Sequence, residues 1–406
     1  MVRIINTRIA KDVVLLQLQD DETRYFESLW EIPEGVTYNS YVVIGDGGAI
    51  VVDGWKIGFE GAFVNEIRSV VDLRDVKAVV VHHMEPDHSG SLRELLSSLS
   101  SDVKVFGHPL ARDMIQSFYG IKPNLTAVSD GVAVGIAGKT LRFFHTPWLH
   151  WPETIVSVLD GSVLFSCDVF GSYGIPSTPF FEDLSPADQE RFLWYAKKYF
   201  ANIIGKYVDW VLKNLEKLSK VASLSNIEVV APAHGPMHRG VKTMASLYSS
   251  WAGGDAEKGK VMVLYMSMYG FIEKAVNVLL DELQKLGAKV KVYRFLDKHR
   301  SPISDMLGDA IDAEALVIAV PTYDADMFPF ATLLLHVITS KIPKNKKVFV
   351  VANFGWGPIA GRRVSEMLKA AGFNVVDVIE FRGGRIEESL QRLREGAAKL
   401  LHASKQ

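Results

Sequence analysis

Between residues 261 and 402, short apolar runs take turns with amphipathic stretches, and that alternation constrains the fold more than any other feature of the chain. VMVLYM (261–266), KVKVYRF (289–295), ALVIAV (315–320), KVFVVAN (347–353) and NVVDVIEF (374–381) read as five strands. The first is followed by FIEKAVNVLLDELQKL, in which Ile272, Ala275, Val276, Leu279, Leu283 and Leu286 recur at helical spacing. Further helices are expected near 328–340, 358–371 and 386–402. Five strands with helices between them make a doubly wound parallel sheet, and such sheets bind ligands at the carboxyl ends of their strands.

The rest of the chain has a different rhythm. Residues 40–55 predict two strands around a glycine-containing turn, 60–71 a helix, 76–81 a buried strand and 91–98 a helix. Strands are also expected at 103–107, 141–144, 154–160, 162–168 and 227–236, with helix over 185–222. Strands, hairpins and helices mixed in this way suggest a two-sheet α/β sandwich. A chain of 406 residues exceeds one ordinary core. The small, polar stretch WAGGDAEKGK (251–260) marks the expected boundary, with domains over 1–252 and 256–406.

Composition excludes several roles. The formal net charge of −2 gives no global attraction to nucleic acid, and no apolar run is long enough to span a bilayer. The opening MVRIINTRIAKDVVLLQL lacks the pattern of a secretory signal. Cys167 is the single cysteine, so an intrachain disulfide and a cysteine-based metal cluster within one chain are impossible. A reducing cytoplasm fits that usage, and any metal must be held by His, Asp and Glu.

One such cluster stands out. The strand at 76–81 runs into His83-Met84-Glu85-Pro86-Asp87-His88, four ligand-type side chains within six residues. In an extended loop residues two apart point the same way, so His83 and Glu85 can share one ion while Asp87 and His88 face a second. Pro86 stiffens the loop between the pairs. Two ions need further ligands, and His150, Asp168 and His234, each at or beyond a strand end, are the downstream candidates. A carboxylate such as Asp168 can bridge two ions. His82 is expected to point away, and Cys167 to pack as a small buried residue. His108, His145, His238, His299, His336 and His402 are read as surface or structural. Imidazoles and carboxylates without a thiolate suit iron or manganese, and zinc less selectively.

A second constellation lies in the last third. The first strand there ends in Ser267-Met268-Tyr269-Gly270-Phe271-Ile272 and a helix begins, a geometry suited to an anion. The loop has no Walker lysine and no GxGxxG pattern, which favours a mononucleotide. Two more strand ends carry Pro321-Thr322-Tyr323-Asp324 and Asn353-Phe354-Gly355-Trp356-Gly357. Their aromatic residues, beside a phosphate loop, can sandwich a planar ring.

With these motifs in hand, the chain resembles the flavodiiron proteins, a metallo-β-lactamase-like domain joined to a flavodoxin-like domain. The HxExDH run at 83–88, HWPE at 150–153, LFSCD at 164–168, PAHGP at 232–236 and the three flavin loops carry the resemblance, which spans essentially the whole chain. It implies two non-haem irons, one held by His83, Glu85 and His150, the other by Asp87, His88 and His234, with Asp168 bridging. It implies FMN as electron relay and reduction of O₂ to water or of NO to N₂O. Related hydrolases of this fold have His where Glu85 stands. Many family members carry a His in the N-terminal segment near the metals, where the comparable stretch RYFES has Glu27, a departure that bears on substrate preference. The phosphate loop is also looser than the usual flavodoxin loop.

The resemblance further implies a head-to-tail homodimer or a dimer of dimers. Metal loops and flavin loops belong to different domains, each a few tens of ångströms across, and pairing chains brings one chain's FMN to the other's irons. A rubredoxin, a flavoprotein reductase or a reduced deazaflavin would be the donor. Two alternatives are a metal-dependent hydrolase with a flavin-binding regulatory domain, against which Glu85 argues, and an electron carrier with a structural metal domain.

Overall fold

A computed structural model describes residues 2–221 and 226–401. The chain divides into two units, Met1–Ser249 and Ser250–Gln406.

In the first unit two sheets face each other. One has seven strands in chain order, Arg3–Ala10, Val13–Asp20, Val36–Gly45, Gly48–Val52, Val76–Val81, Lys104–Gly107 and Leu125–Ala127. The other has six, Ala133–Ile136, Lys139–His145, Ile155–Leu159, Val163–Cys167, Val229–Pro232 and His238–Arg239. Side chains alternate between the two faces of a strand, so every second residue turns inward. Leu15, Val43, Ile50, Val52, Ala78 and Val80 from the first sheet meet Leu141, Phe143, Ile155, Phe165, Val229 and Ala231 from the second in one buried cluster. At roughly 25 cal/mol per Å² of apolar surface, each of the Val, Leu, Ile and Phe side chains contributes about 1.5–3 kcal/mol. Helices Glu60–Val70, Leu92–Ser98 and Ala111–Tyr119 follow strands of the first sheet, and Pro186–Tyr199 and Val208–Val221 those of the second. The result is the expected sandwich.

Its first two strands escaped the sequence reading. Val13–Asp20 is buried along its whole length, so VVLLQLQD shows no clean apolar–polar alternation. Gln17 is accommodated by donating to Asn39 Oδ1 at 2.9 Å and accepting from Gln19 Nε2 at 2.9 Å. The helical stretch predicted over 185–222 is interrupted. A π-helical turn, Phe200–Ile204, separates its two α-helices, and residue 222 lies outside the described residues.

In the second unit five parallel strands lie in the spatial order Lys289–Leu296, Glu257–Met266, Ala313–Tyr323, Lys347–Phe354 and Asn374–Arg382. The second strand in sequence therefore lies outside the first, and the order reverses between the first and third. That reversal opens a crevice at their carboxyl ends, where doubly wound sheets hold ligands. Val261, Val263, Val317 and Val351 pack against Ile272, Val276, Leu279 and Leu393 of the helices Phe271–Lys285 and Leu390–Leu401, as the period-two and period-3.6 patterns require.

Candidate metal centre and flavin loops

Seven side chains from four chain segments converge at one end of the sandwich. His83 and Glu85 follow the Val76–Val81 strand in an extended segment. The chain then turns, because Pro86 opens the short helix Pro86–Ser89 and the Glu85 carbonyl accepts from both His88 N and Ser89 N at 3.0 Å. Asp87 and His88 thus project from a helical turn, whereas strand-like alternation was expected there. His150 comes from the Pro147–Trp151 turn, Asp168 from the residue after the Val163–Cys167 strand, and His234 from the loop after Val229–Pro232.

The grouping is specific. His83, Glu85 and His150 offer ligand atoms within 4.8 Å of one another, and so do Asp87, His88 and His234. His150 Nε2 is 2.9 Å and His83 Nε2 3.3 Å from Glu85 Oε2. His234 Nε2 is 3.3 Å from Asp87 Oδ2, and His88 Nε2 is 3.3 Å from Asp87 Oδ1. Asp168 lies between the groups, its Oδ1 3.0 Å from His88 Nε2 and its Oδ2 3.8 Å from His83 Nε2. These imidazoles turn Nε2 inward.

Their Nδ1 atoms are held from behind. His83 Nδ1 meets Glu153 Oε1 at 2.8 Å, and the same oxygen accepts from Met84 N at 3.0 Å. His234 Nδ1 donates to the Thr37 carbonyl at 2.6 Å. Tyr199 donates its hydroxyl to Asp168 Oδ1 at 2.7 Å, from the residue just before the π-helical turn. Sequence reading missed Glu153, Tyr199 and Thr37. Of these only Glu153 carried a signal, as the acid of HWPE, because the others act through a lone hydroxyl and a main-chain carbonyl.

His82 faces the other way, as expected. Its Nδ1 meets Asp53 Oδ2 and its Nε2 meets Ser157 Oγ, both at 2.8 Å in the core. Cys167 is buried.

Charge makes the cluster demand a cation. Burial alone would push the His234 imidazole down, but Asp168 and Asp87 outweigh it and hold its pKa at about 10. His83 rises well above the ordinary range, burial being outweighed by Glu153, Glu85 and Asp168. Asp168 falls well below its own, since His88, His234 and His83 overcome its burial. The carboxylates therefore call for compensating positive charge, which protons or metal ions can supply. Asp87 Oδ1 and His234 Nε2 are buried without a hydrogen-bond partner. Buried polar atoms left in this way point to a ligand, and nitrogen and carboxylate donors without sulfur fit iron. A cleft of about 390 Å³ reaches Glu85 and Asp87 from outside, lined by Tyr25, Phe26, Glu27, Tyr38 and Lys56.

In the second unit the three predicted loops sit at the carboxyl ends of three neighbouring strands. Gly270, at φ +82°, precedes the helix Phe271–Lys285, a conformation that favours glycine. Its N–H donates to Ser267 Oγ at 3.1 Å. Tyr269 and Trp356 are the exposed aromatics, at 80% and 76%, and Tyr323 is 40% exposed. Ile272 faces the core instead, and Asn353 donates to the Phe381 and Gly383 carbonyls at 3.1 and 2.8 Å. Thr322 Oγ1 accepts from Ala360 N at 3.3 Å. The loops thus present rings to solvent, while Ser267, Thr322 and Asn353 are tied to main-chain groups.

Comparison with known proteins agrees with both units. The family model described as ODP family beta lactamase matches residues 36–235, and that of flavodoxin matches 263–399. A nitric oxide reductase of Moorella thermoacetica is 29% identical over 361 residues, 88% of each chain. A rubredoxin-oxygen oxidoreductase of Megalodesulfovibrio gigas is 28% identical, over 91% of this chain and 90% of that one. The structure of a flavo di-iron protein variant from Thermotoga maritima superposes with a TM-score of 0.92 at 37% identity, covering 99% of this chain and 100% of the other.

Proposed function

Because the chain belongs to the flavodiiron proteins, we propose that it is an oxidoreductase that reduces O₂ to water, NO to N₂O or both at a di-iron centre, with electrons relayed through FMN. The observation that carries this reading is the pair of three-donor groups sharing Asp168. Residues 1–252 would form the metal domain and 256–406 the flavin domain.

In this reading His83, Glu85 and His150 would hold one iron and Asp87, His88 and His234 the other, with Asp168 placed to serve both. Two irons held there would supply the electrons for gas reduction, and FMN, which takes electrons in pairs and releases them singly, would supply them in turn. Glu153 and the Thr37 carbonyl fix the tautomers and ring orientations of His83 and His234 by holding Nδ1–H, which leaves Nε2 free to ligate. Tyr199 keeps its proton and steadies the Asp168 carboxylate. The cleft beside Glu85 and Asp87 admits the gas. Ser267–Ile272 would receive the FMN phosphate, with Pro321–Asp324 and Asn353–Gly357 flanking the ring.

A head-to-tail homodimer, or a dimer of dimers, completes the reading, with one chain's flavin serving its partner's irons. The donor is a rubredoxin, a flavoprotein reductase or a reduced deazaflavin, and the setting is the cytoplasm. Among the described residues no helix is long and apolar enough to cross a membrane.

The test is anaerobic reduction of purified protein, followed by electrode traces of O₂ and NO uptake on one sample with iron and flavin assayed. Uptake of either gas with two irons and one FMN per chain is expected. Zinc-loaded protein that hydrolyses thioesters and consumes neither gas would overturn it.

A further inference from the structure

Three of the chain's eight tryptophans lie in the turn that carries His150 or on the helix tied to that turn, and the metal chemistry above leaves them unused. Trp151 stands edge-on to the His83 ring, with centroids 4.9 Å apart at 88°, and its centroid is 6.2 Å from that of His150. Trp148 N donates to the Trp151 carbonyl at 2.8 Å, so the two indoles share one tight turn. Trp148 stacks on Tyr207, with centroids 5.5 Å apart and planes at 27°. Tyr207 ends the 3₁₀ turn Gly205–Tyr207, which runs directly into the Val208–Val221 helix, and Trp210 lies three residues further on, about one helical turn away. Trp210 is 36% exposed, with Lys213 Nζ 5.0 Å over its ring.

The placement is enforced. Trp148 has φ +65°, costly for so bulky a residue, and such a conformation persists only where the surroundings impose it. Asn214 Nδ2 donates to the Pro147 carbonyl at 3.1 Å and ties the helix to this turn. Packing alone would be served by Leu or Phe at these positions. Trp and Tyr are instead the ring side chains most readily oxidised by one electron.

We infer that Trp151, Trp148, Tyr207 and Trp210 form an electron-supply route from the protein surface to the metal site, fed by one-electron reductants of the thiol class. The inference rests on the gas-reductase reading. O₂ needs four electrons and four protons to become two waters. When the flavin cannot supply them all, each missing electron passes from the Trp151 indole to the oxygen being reduced, Trp148 refills Trp151, and Tyr207 refills Trp148. Tyr207 gives its phenolic proton to water as it is oxidised, and the deficit ends on the Tyr207–Trp210 pair. There a thiol supplies one electron and one proton, and two thiols so oxidised join as a disulfide. The route spares the iron ligands from oxidation.

The experiment uses full-length protein with iron reduced and flavin oxidised, exposed to O₂ without a donor. O₂ uptake, freeze-quench EPR and peptide mass spectrometry are recorded on each sample, with and without dithiothreitol. Expected are O₂ uptake, an organic radical, and hydroxytryptophan or kynurenine at Trp151, Trp148 and Trp210; dithiothreitol should suppress the radical and the oxidation while sustaining O₂ uptake. Tyr207→Phe, remote from the ligands, should abolish oxidation at Trp210 while iron content and donor-driven gas uptake stay unchanged; Trp148→Phe, in the turn that carries His150, should abolish it likewise, with iron content assayed on the same sample. O₂ uptake without a radical, oxidation at Trp210 that persists in both variants, or equal oxidation at the off-route Trp30 and Trp55 would overturn the inference. Absence of O₂ uptake in the donor-driven control would instead overturn the gas-reductase reading beneath it.

Discussion

Glu153 illustrates how much of the proposed metal site lies behind the candidate ligands. It is 1% exposed and binds both the His83 ring and the Met84 main chain through one oxygen. Glu153→Gln keeps the shape but removes the charge that sets the His83 tautomer. Iron affinity should fall about 10–100-fold while flavin content is unchanged, measured by metal titration beside flavin absorbance. His238 acts on stability. Burial pushes its pKa down from 6.5 to about 4. It is neutral in both states at high pH, whereas below about pH 6.5 the unfolded chain takes up a proton that the folded chain resists. Stability should therefore fall as pH drops from about 6.5 towards 4, by about 2 kcal/mol at pH 5. Urea unfolding of the wild type and His238→Phe at about pH 7.5 and pH 5 checks this, since the variant should lose that much less on acidification.

At the scale of elements, close packing sets the limits. The helix Leu390–Leu401 approaches the sheet through Gly396, where a Cβ would lie 2.3 Å from Phe349 Cζ. Phe349 is fully buried in the central sheet and has no room to swing. Gly396→Ala gains helix propensity of about 1 kcal/mol, yet the overpacking outweighs it. A net loss of about 1–2 kcal/mol is expected in denaturant unfolding of the flavin-binding unit. The sequence showed this helix, because its apolar period is strong, but not why one position on its buried face is glycine. Likewise the 83–88 run was legible as a metal motif, while the helical turn that aims Asp87 and His88 was not. That turn depends on two hydrogen bonds to one carbonyl, which leave no trace in residue type.

For the whole molecule, the proposed exchange of electrons between chains makes a sharp prediction. Asp168→Ala should lose iron and keep flavin, and Trp356→Ala should weaken flavin binding and keep iron. Neither variant alone should reduce gas at the wild-type rate. Mixed under conditions that let subunits exchange, they should recover activity, because the mixed dimer joins an intact flavin unit to an intact metal unit across the interface. Gas uptake before and after mixing decides it, and failure to recover after exchange is verified by mass would rule out transfer between chains.

By itself the sequence determined the two fold classes, the family resemblance and the candidate ligands. Those properties reside in local periodicity and in residue types clustered at strand ends, both of which survive as a linear pattern. The tertiary structure alone decided which ligand atoms group with which. Asp168 is 80 residues from His88 and 66 from His234; the facing of two sheets brings the first pair within 3.0 Å, and the pairing of neighbouring strands in one sheet brings the second within 3.6 Å. It also decided the supporting cast of Glu153, Tyr199 and the Thr37 carbonyl, and the stacking of Trp148 on Tyr207. Contacts between segments far apart in sequence depend on how strands register and turns close, and a one-dimensional pattern records neither.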